Sequence, residues 1–412
     1  MADLRLELEG LELKGGRLTD TSQFSLGDIQ RSHWDWDRVV KGTHLTNCAY
    51  QQACNFNLYV KDGVVFREEQ VGNYPAPNDA RVPDPIPRGC QKGACYVHRM
   101  YDPTRIKYPM KRVGERGQGK WKRISWDEAF TEVADAIIDT VTNEGPDAVV
   151  QCGGTRVSNV GSDGTGPTAF FLGLGAPFPN VTGDNGDDHQ GVAVTMGKVI
   201  IGDSADNWFY SNMILIWGGN PVYTNMPNYH FLAEARYNGM KVVTISPDYS
   251  PSAIHADQWV PVNIGSDADL ALSMCQVILS EKLFKEDFVR EQTDLPLLVV
   301  ESTGKFLREK DLKSSGREDI FYFWDLSSGK LTEAPRKSLA LDGMVPALEG
   351  SYQVETVRGS VTVKPVMGFL RSYLDRIYTP GQAGHVTGVS PRVIEQLARE
   401  VAAAKGVVNI ST

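Results

Sequence analysis

Four soft metal ligands follow one another at His44, Cys48, Cys54 and Cys90, spaced H-x3-C-x5-C-x35-C. One imidazole and three thiolates can hold a single iron–sulfur cluster, because such clusters take four ligands, usually Cys, and a His can replace a Cys. Zinc accepts the same Cys3His set, although its sites usually pair two short knuckles. Buried thiols without a metal are the third reading. The last ligand arrives alone after a long excursion, in the Gly-rich stretch Arg88-Gly89-Cys90-Gln91-Lys92-Gly93, which favours the cluster.

Two further groups of residues have chemistry in them. Asp184, Asp187, Asp188 and His189 crowd into the Gly-rich segment 183–191. Carboxylates with a His suit a hard or borderline metal, and the same composition also suits a solvated loop. Farther on, Gly218-Gly219-Asn220 and Pro247-Asp248 each follow a strand-like apolar run, and Gly265-Ser266-Asp267 stands at a helix start. Glycines let backbone amides approach a phosphate, and a carboxylate after a strand can accept hydrogen bonds from a ribose or a guanine. Alone, each is ordinary turn chemistry. In succession they favour a nucleotide-like cofactor, and no G-x-G-x-x-G follows a strand to support plain NAD binding.

The elements that must position these groups are legible in outline. Residues 1–40, with Trp34 and Trp36, read as an arm over another surface. Phe56–Val60, Asp62-Gly63 and Val64–Phe66 predict a hairpin with a type I′ turn, which would bring the distant ligands together. The Pro-rich segment 71–89 is loop. Ser125-Trp-Asp-Glu128 matches a capping box ahead of a helix over Trp126–Thr142, with Phe130, Val133, Ile137 and Val141 as its apolar stripe.

After that helix the texture changes. Ala148–Cys152, Met213–Trp217 and Lys241–Ile245 predict buried strands, with a helix over Tyr229–Tyr237 before the third. Strands alternating with Gly-rich turns and helices indicate an α/β fold with a Rossmann-like parallel sheet, in which ligands gather at the carboxyl ends of the strands. Ser266 is expected to cap a helix from about Asp267 to Leu283. An insertion is expected at about 303–365, then a helix over Ile394–Ala404 and a last strand at Val407–Thr412, an ending expected of a chain that continues elsewhere.

Composition narrows the function classes. The chain has 412 residues and a formal net charge of −9. An acidic balance without a basic-aromatic stripe argues against nucleic-acid binding. Six cysteines, three of them grouped with His44, do not make a disulfide framework. No apolar run reaches the roughly 18 residues that span a bilayer. The N-terminus has neither an apolar signal core nor a twin-Arg pair, so the chain is expected in the cytoplasm or with its leader outside this sequence.

The His-Cys-Cys-Cys array, Arg88–Gly93, Arg105-Ile-Lys107-Tyr-Pro109 and Gly119–Glu128 together resemble molybdopterin oxidoreductases of the dimethyl sulfoxide reductase superfamily. The chain is similar to the catalytic α subunits of the group that includes nitrate reductase, ethylbenzene dehydrogenase, dimethylsulfide dehydrogenase and the selenate and chlorate reductases. Tyr229–Tyr237 and Glu291–Leu298 strengthen the likeness, which runs along essentially the whole sequence but matches only the N-terminal half of such subunits.

The resemblance implies a cluster domain over 1–115 and an interrupted dinucleotide-binding region over 116–412. His44, Cys48, Cys54 and Cys90 would hold a [4Fe–4S] cluster, with Lys92 a basic residue between cluster and pterin and Cys95 a bystander. Molybdenum (or tungsten) would be carried by two molybdopterin guanine dinucleotides and an aspartate, placed at Asp187 with Asp184 and Asp188 as neighbours. Gly218, Gly219, Asn220, Pro247, Asp248, Gly265, Ser266 and Asp267 fall where relatives bind one dinucleotide.

The implied reaction is oxygen-atom transfer at molybdenum, either reducing an oxyanion such as nitrate, nitrite, chlorate or selenate, or hydroxylating a C–H bond with water. The ethylbenzene enzyme has an implicated His before its metal ligand. Here no His lies between His98 and His189, and Arg156, Ser158 and Asn159 fill the region, a set suited to an anion. A molybdenum-free electron-transfer scaffold is the alternative of a different class. Implied partners are an Fe–S β subunit and often a haem b γ subunit, and relatives are mostly periplasmic.

Overall fold

The computed structural model describes residues 13–14, 17–18, 34–43, 55–71, 79–83, 91–150, 162–177, 190–197, 204–224 and 226–411. They fall into two compact units, Met1–Asn207 with Pro221–Glu234, and Trp208–Asn220 with Ala235–Thr412.

In the first unit a short ribbon pairs β1 (Leu13–Lys14) with β2 (Arg17–Leu18), and β3 (Arg38–Thr43), β4 (Asn55–Lys61) and β5 (Val64–Gln70) form an antiparallel sheet in the order β3-β4-β5. The expected hairpin is present. Asp62 and Gly63 at its turn adopt φ of 49° and 77°, the left-handed pair that a type I′ turn demands. The helices Gln91–Ala94 and Tyr96–Met100 pack on β5, where Val97 N–H donates to Glu68 Oε1 at 2.9 Å and Val65 N–H donates to Tyr101 Oη at 2.9 Å.

β6 (Met110–Arg112) and β7 (Trp121–Arg123) make a second hairpin ahead of the helix Trp126–Glu144. Ser125 caps that helix, its hydroxyl accepting from Glu128 N–H at 3.0 Å. The apolar stripe is only partly covered, with Phe130 64% and Val133 60% exposed. The strand expected from Ala148 is not formed in its described part. Gly145 at φ 97° followed by Pro146 starts a 3-10 turn over Pro146–Ala148 instead, and Val150 is exposed. Helices over Ser162–Leu174 and Gln190–Met196 were hidden from pattern reading, the first by its internal Gly164, Gly166 and Pro167.

The strands of the second unit are β8 (Met213–Trp217), β9 (Lys241–Ile245), β10 (Gln258–Val260), β11 (Leu298–Val300), β12 (Lys305–Phe306), β13 (Tyr322–Asp325), β14 (Lys330–Glu333), β15 (Tyr352–Thr356), β16 (Gly359–Pro365) and β17 (Val407–Ser411). A wholly parallel sheet runs β10-β9-β8-β17. Its central strands, Met-Ile-Leu-Ile-Trp and Lys-Val-Val-Thr-Ile, are near-continuous apolar runs because both faces are buried. On one face Met213, Leu215, Val243 and Ile245 pack with Leu270, Met274 and Val277 of the helix Asp267–Ser280, Ala383 of the helix Pro380–Thr387, and Ile394, Leu397 and Ala398 of the helix Pro391–Ala403. Each of these large side chains contributes about 1.5–3 kcal/mol by leaving water.

Between helix Glu286–Gln292 and helix Val366–Ile377 lies the inserted module, an antiparallel sheet in the order β12-β11-β16-β15 with the β13-β14 hairpin. It begins at Leu298, earlier than the expected 303, because Leu298 and Val300 belong to its core with Leu307, Ile320, Tyr322, Val354 and Val363. No helix among the described residues is long and apolar enough to cross a membrane.

Candidate functional site

Register decides where the parallel strands stop. Trp217 lies opposite both Ile245 and Ser411, and Ile245 lies opposite Val260, so β8, β9, β10 and β17 end on one edge. Adjacent strands lie about 4.8 Å apart, so the turns leaving β8, β9 and β10 start within about 10 Å of one another. This carboxyl edge is where open α/β sheets take their ligands.

The first turn is Gly218-Gly219-Asn220. Gly218 adopts φ 62°, its N–H donates to Ile245 O at 2.9 Å, and a Cβ placed on it would meet nothing within 4 Å. The edge is therefore open beside it. Asn220 Oδ1 accepts from Ser252 Oγ at 2.7 Å and from Ser252 N–H at 3.3 Å. A backbone N–H can only donate, so these bonds set the amide with its oxygen toward Ser252 and its nitrogen turned away.

The second turn is built on Ser246. Its N–H donates to Val260 O at 3.2 Å, its hydroxyl donates to Asp248 O at 2.8 Å, and the Trp259 indole donates to Ser246 O at 3.1 Å. Pro247 and Asp248 stand exposed on this support. Ser250 then accepts from Ala253 N–H at 3.4 Å and starts the helix Pro251–Ile254, which carries Ser252.

The third turn follows β10. Asn263 N–H donates to Thr387 O at 2.9 Å and its Nδ2 donates to Val386 O at 2.8 Å, and Gly265 turns at φ 82°. Ser266 occupies the residue before the helix without capping it. Its buried hydroxyl donates back to Asn263 O at 2.7 Å, closing the loop rather than the helix end. The helix starts at Asp267 and stops at Ser280, short of Leu283, and Asp267 and Asp269 complement its N-terminal dipole.

The opposite edge of the sheet is stapled shut. Asp257 Oδ1 accepts from Arg236 Nε at 2.8 Å and Oδ2 from Val242 N–H at 2.8 Å. Burial pushes the Asp257 carboxyl up, but the Arg236 and Val242 bonds and the nearby Lys241 outweigh it and hold the group below the usual carboxylate range. Lys241 Nζ meets Glu400 Oε2 at 2.5 Å, tying β9 to the helix Pro391–Ala403.

His44, Cys48, Cys54, Cys90, Arg156, Asn159 and Asp187, with Asp184 and Asp188, lie outside the described residues, as does the side chain of Lys92. The chain that flanks the thiol array is described. Thr43 and Asn55 are cross-strand partners, Val71 N–H donates to Asn55 O at 3.0 Å, and the helix opening at Gln91 rests on β5. Among the described residues, no group of three or more His, Cys, Asp and Glu gathers as a metal site. Cys95 is exposed.

Of the sequence-derived candidates, Gly218, Gly219, Asn220, Pro247, Asp248, Gly265, Ser266 and Asp267 all fall on the carboxyl edge. Pattern reading missed Ser252, Ser246 and Trp259, which hold the first two turns. Ser250-Pro251, a helix-start signature, is the signal that would have drawn attention there.

The profile of the family described as Molybdopterin oxidoreductase matches residues 105–354. The chain is 42% identical over 386 residues to the chlorate reductase subunit alpha of Ideonella dechloratans, covering 92% of this chain and 41% of that one. It is 40% identical over 390 residues to the dimethylsulfide dehydrogenase subunit alpha of Rhodovulum sulfidophilum, with shares of 92% and 41%. The chain thus spans about two fifths of the length of these curated relatives. The solved structure of acetylene hydratase from Pelobacter acetylenicus matches with a TM-score of 0.58 at 20% identity, over 90% of this chain and 40% of that one, a likeness of fold.

Proposed function

The chain belongs to the molybdopterin oxidoreductase family, and on that premise we propose that it is part of the catalytic α subunit of a molybdenum enzyme that transfers an oxygen atom to or from an oxyanion. The observation that carries this reading is the gathering of three turns, at 218–220, 247–248 and 265–267, on the carboxyl edge of one parallel sheet inside the family-matched region. An open Gly218 and an oriented Asn220 amide fit a dinucleotide there.

In this reading Gly218 and Gly219 let the backbone approach a phosphate, and the Asn220 amide donates to an oxygen of the same group. Asp248 and Asp267 accept from ribose hydroxyls or the guanine edge. Asp187 supplies the carboxylate ligand of the metal. His44, Cys48, Cys54 and Cys90 hold a [4Fe–4S] cluster, and Lys92 fixes a positive charge between cluster and pterin. Arg156 and Asn159 orient the anion. A bis(molybdopterin guanine dinucleotide) molybdenum centre supplies two-electron oxygen-atom chemistry when bound, while the protein supplies position and charge. The domain boundary near 115 and an Fe–S β subunit with a haem b γ subunit complete the proposal.

The oxyanion direction is supported by the likeness to the chlorate reductase subunit and by the absence of any His between His98 and His189. The test is metal content of anaerobically purified protein, followed by dye-linked assays with chlorate, nitrate and selenate against ethylbenzene. About four iron and about one molybdenum per chain, after subtracting any partner's clusters, with oxyanion turnover, is the expected result. Iron without molybdenum or tungsten would leave the electron-transfer scaffold in its place, and turnover of ethylbenzene alone would overturn the oxyanion assignment.

A further inference from the structure

A cleft of about 790 Å³ opens in the inserted module, between the β11-β12 turn, the helix Glu309–Leu312 and the β15-β16 turn. Lys305, Arg308, Lys310 and Arg358 line it, against the single carboxylate of Asp311. This is a local excess of positive charge on a chain whose formal net charge is −9. Lys310 is engaged by Glu318 at 2.6 Å, and Arg308 lies 3.9 Å from Glu318 and over the Phe321 ring at 5.2 Å. Lys305 and Arg358 are exposed and have no carboxylate partner among the described residues.

The backbone of both turns decides the class of anion. Thr303 and Gly304 N–H both donate to Val300 O, at 3.2 and 2.9 Å, and Lys305 N–H donates to Thr303 Oγ1 at 3.3 Å. Across the cleft Val357 N–H donates to Asp311 O at 2.9 Å and Arg358 N–H to Thr356 Oγ1 at 3.1 Å. A phosphate cradle needs convergent backbone N–H groups, and those of Thr303, Gly304, Lys305, Val357 and Arg358 are already engaged. The Asp311 carboxylate in the lining is itself engaged, its Oδ2 accepting from Arg308 N–H at 2.9 Å. What remains is a set of cations on long stems, spread around an open cleft, which matches carboxylates spaced along a polypeptide. We propose that this cleft docks an acidic segment of a protein partner.

Such a contact is formed between exposed charges, so it is steered by the field and weakened by salt. The test uses the holoenzyme and a fluorescein-labelled glutamate octamer, followed by anisotropy at low ionic strength. The charge reversal K305E/R358E is expected to weaken binding about tenfold, and the milder K305Q/R358Q to weaken it in the same direction. K330E, at an exposed lysine outside the cleft, should bind the octamer as the unaltered protein does. Unchanged affinity in K305Q/R358Q, a variant too mild to disturb folding, would overturn the proposal. So would displacement of the octamer by pyrophosphate or single-stranded DNA at lower concentration than by unlabelled octamer.

Discussion

Asn220 and Ser252, thirty-two positions apart, are joined by a 2.7 Å hydrogen bond from Ser252 Oγ to Asn220 Oδ1, which ties the turn after β8 to the helix after β9. The Ser252 side chain is fully buried and Asn220 is half-buried, so the bond is partly shielded from water. Asn220→Asp keeps an acceptor toward Ser252 and replaces the amide nitrogen by a second carboxylate oxygen. If Asn220 donates to a phosphate-bearing cofactor, this variant should fold like the parent yet lose most of its molybdenum. Metal analysis alongside a thermal melt separates the two effects, and full molybdenum retention would remove Asn220 from the cofactor's contacts.

Ser252→Ala deletes the hydroxyl but leaves the Ser252 backbone N–H in place. The loss of one buried hydrogen bond should cost about 1 kcal/mol of stability. A second consequence is looser orientation of the Asn220 amide, read as a lower molybdenum content at equal iron content. Stability lost with metal content unchanged would make Ser252 a structural residue alone.

Gly218 tests the backbone rather than a side chain. Its φ of 62° is left-handed, while the space where a Cβ would stand is open. Gly218→Ala should therefore cost about 1–2 kcal/mol through backbone strain alone, visible as a lower denaturation midpoint. A bulky Gly218→Val should add loss of molybdenum, because it fills the open edge that the cofactor is proposed to use.

The parallel sheet and its carboxyl edge were legible because the cues are local. Runs such as Met213–Trp217 and Lys241–Ile245 followed by Gly218-Gly219 and Pro247-Asp248 announce a buried strand and a turn within a few residues. β10 was not legible, since three residues with a Trp carry too little periodicity, and its place is fixed only by pairing with β9. Ser266 misled for a similar reason. A serine before a helix is usually a cap, but here the nearer Asn263 carbonyl takes its hydroxyl. The helices Val366–Ile377 and Pro380–Thr387 went unread, although Thr379 and Gln382 form a complete capping box with Pro380 at the first helical position. The charged residues around 303–365 gave short strands without register, and the cleft they form depends on two turns more than fifty residues apart.

Asp257 makes the amino edge pH-sensitive in a definite sense. Its folded-state carboxyl is held below the usual range, so its contribution to stability is present above the unfolded value of about 3.9 and is lost as pH falls through the folded one. Asp257→Asn should cost about 1 kcal/mol near pH 7, where the carboxylate bonds to Arg236 and Val242 are intact. The gap between parent and variant should close as both are taken to acid below pH 3.9 in denaturant titrations. A gap that stays constant with pH would assign the effect to packing.

The thiol array can be tested through the scaffold that flanks it. Thr43 opposite Asn55 closes the segment carrying His44, Cys48 and Cys54 at one end of the β3-β4 ladder, and the helix opening at Gln91 is held on β5 directly after Cys90. A cluster tied to both segments should stabilise the first unit and be lost when any one thiolate is removed. Cys54→Ala and Cys90→Ala should each lower iron from about four per chain and abolish the paramagnetic signal of the reduced cluster. Cys95→Ser, five positions beyond Cys90 and at an exposed site, should leave both unchanged. Zinc in place of iron in anaerobic material would overturn the cluster. Loss of iron in Cys95→Ser but not in Cys90→Ala would instead move the fourth ligand to Cys95.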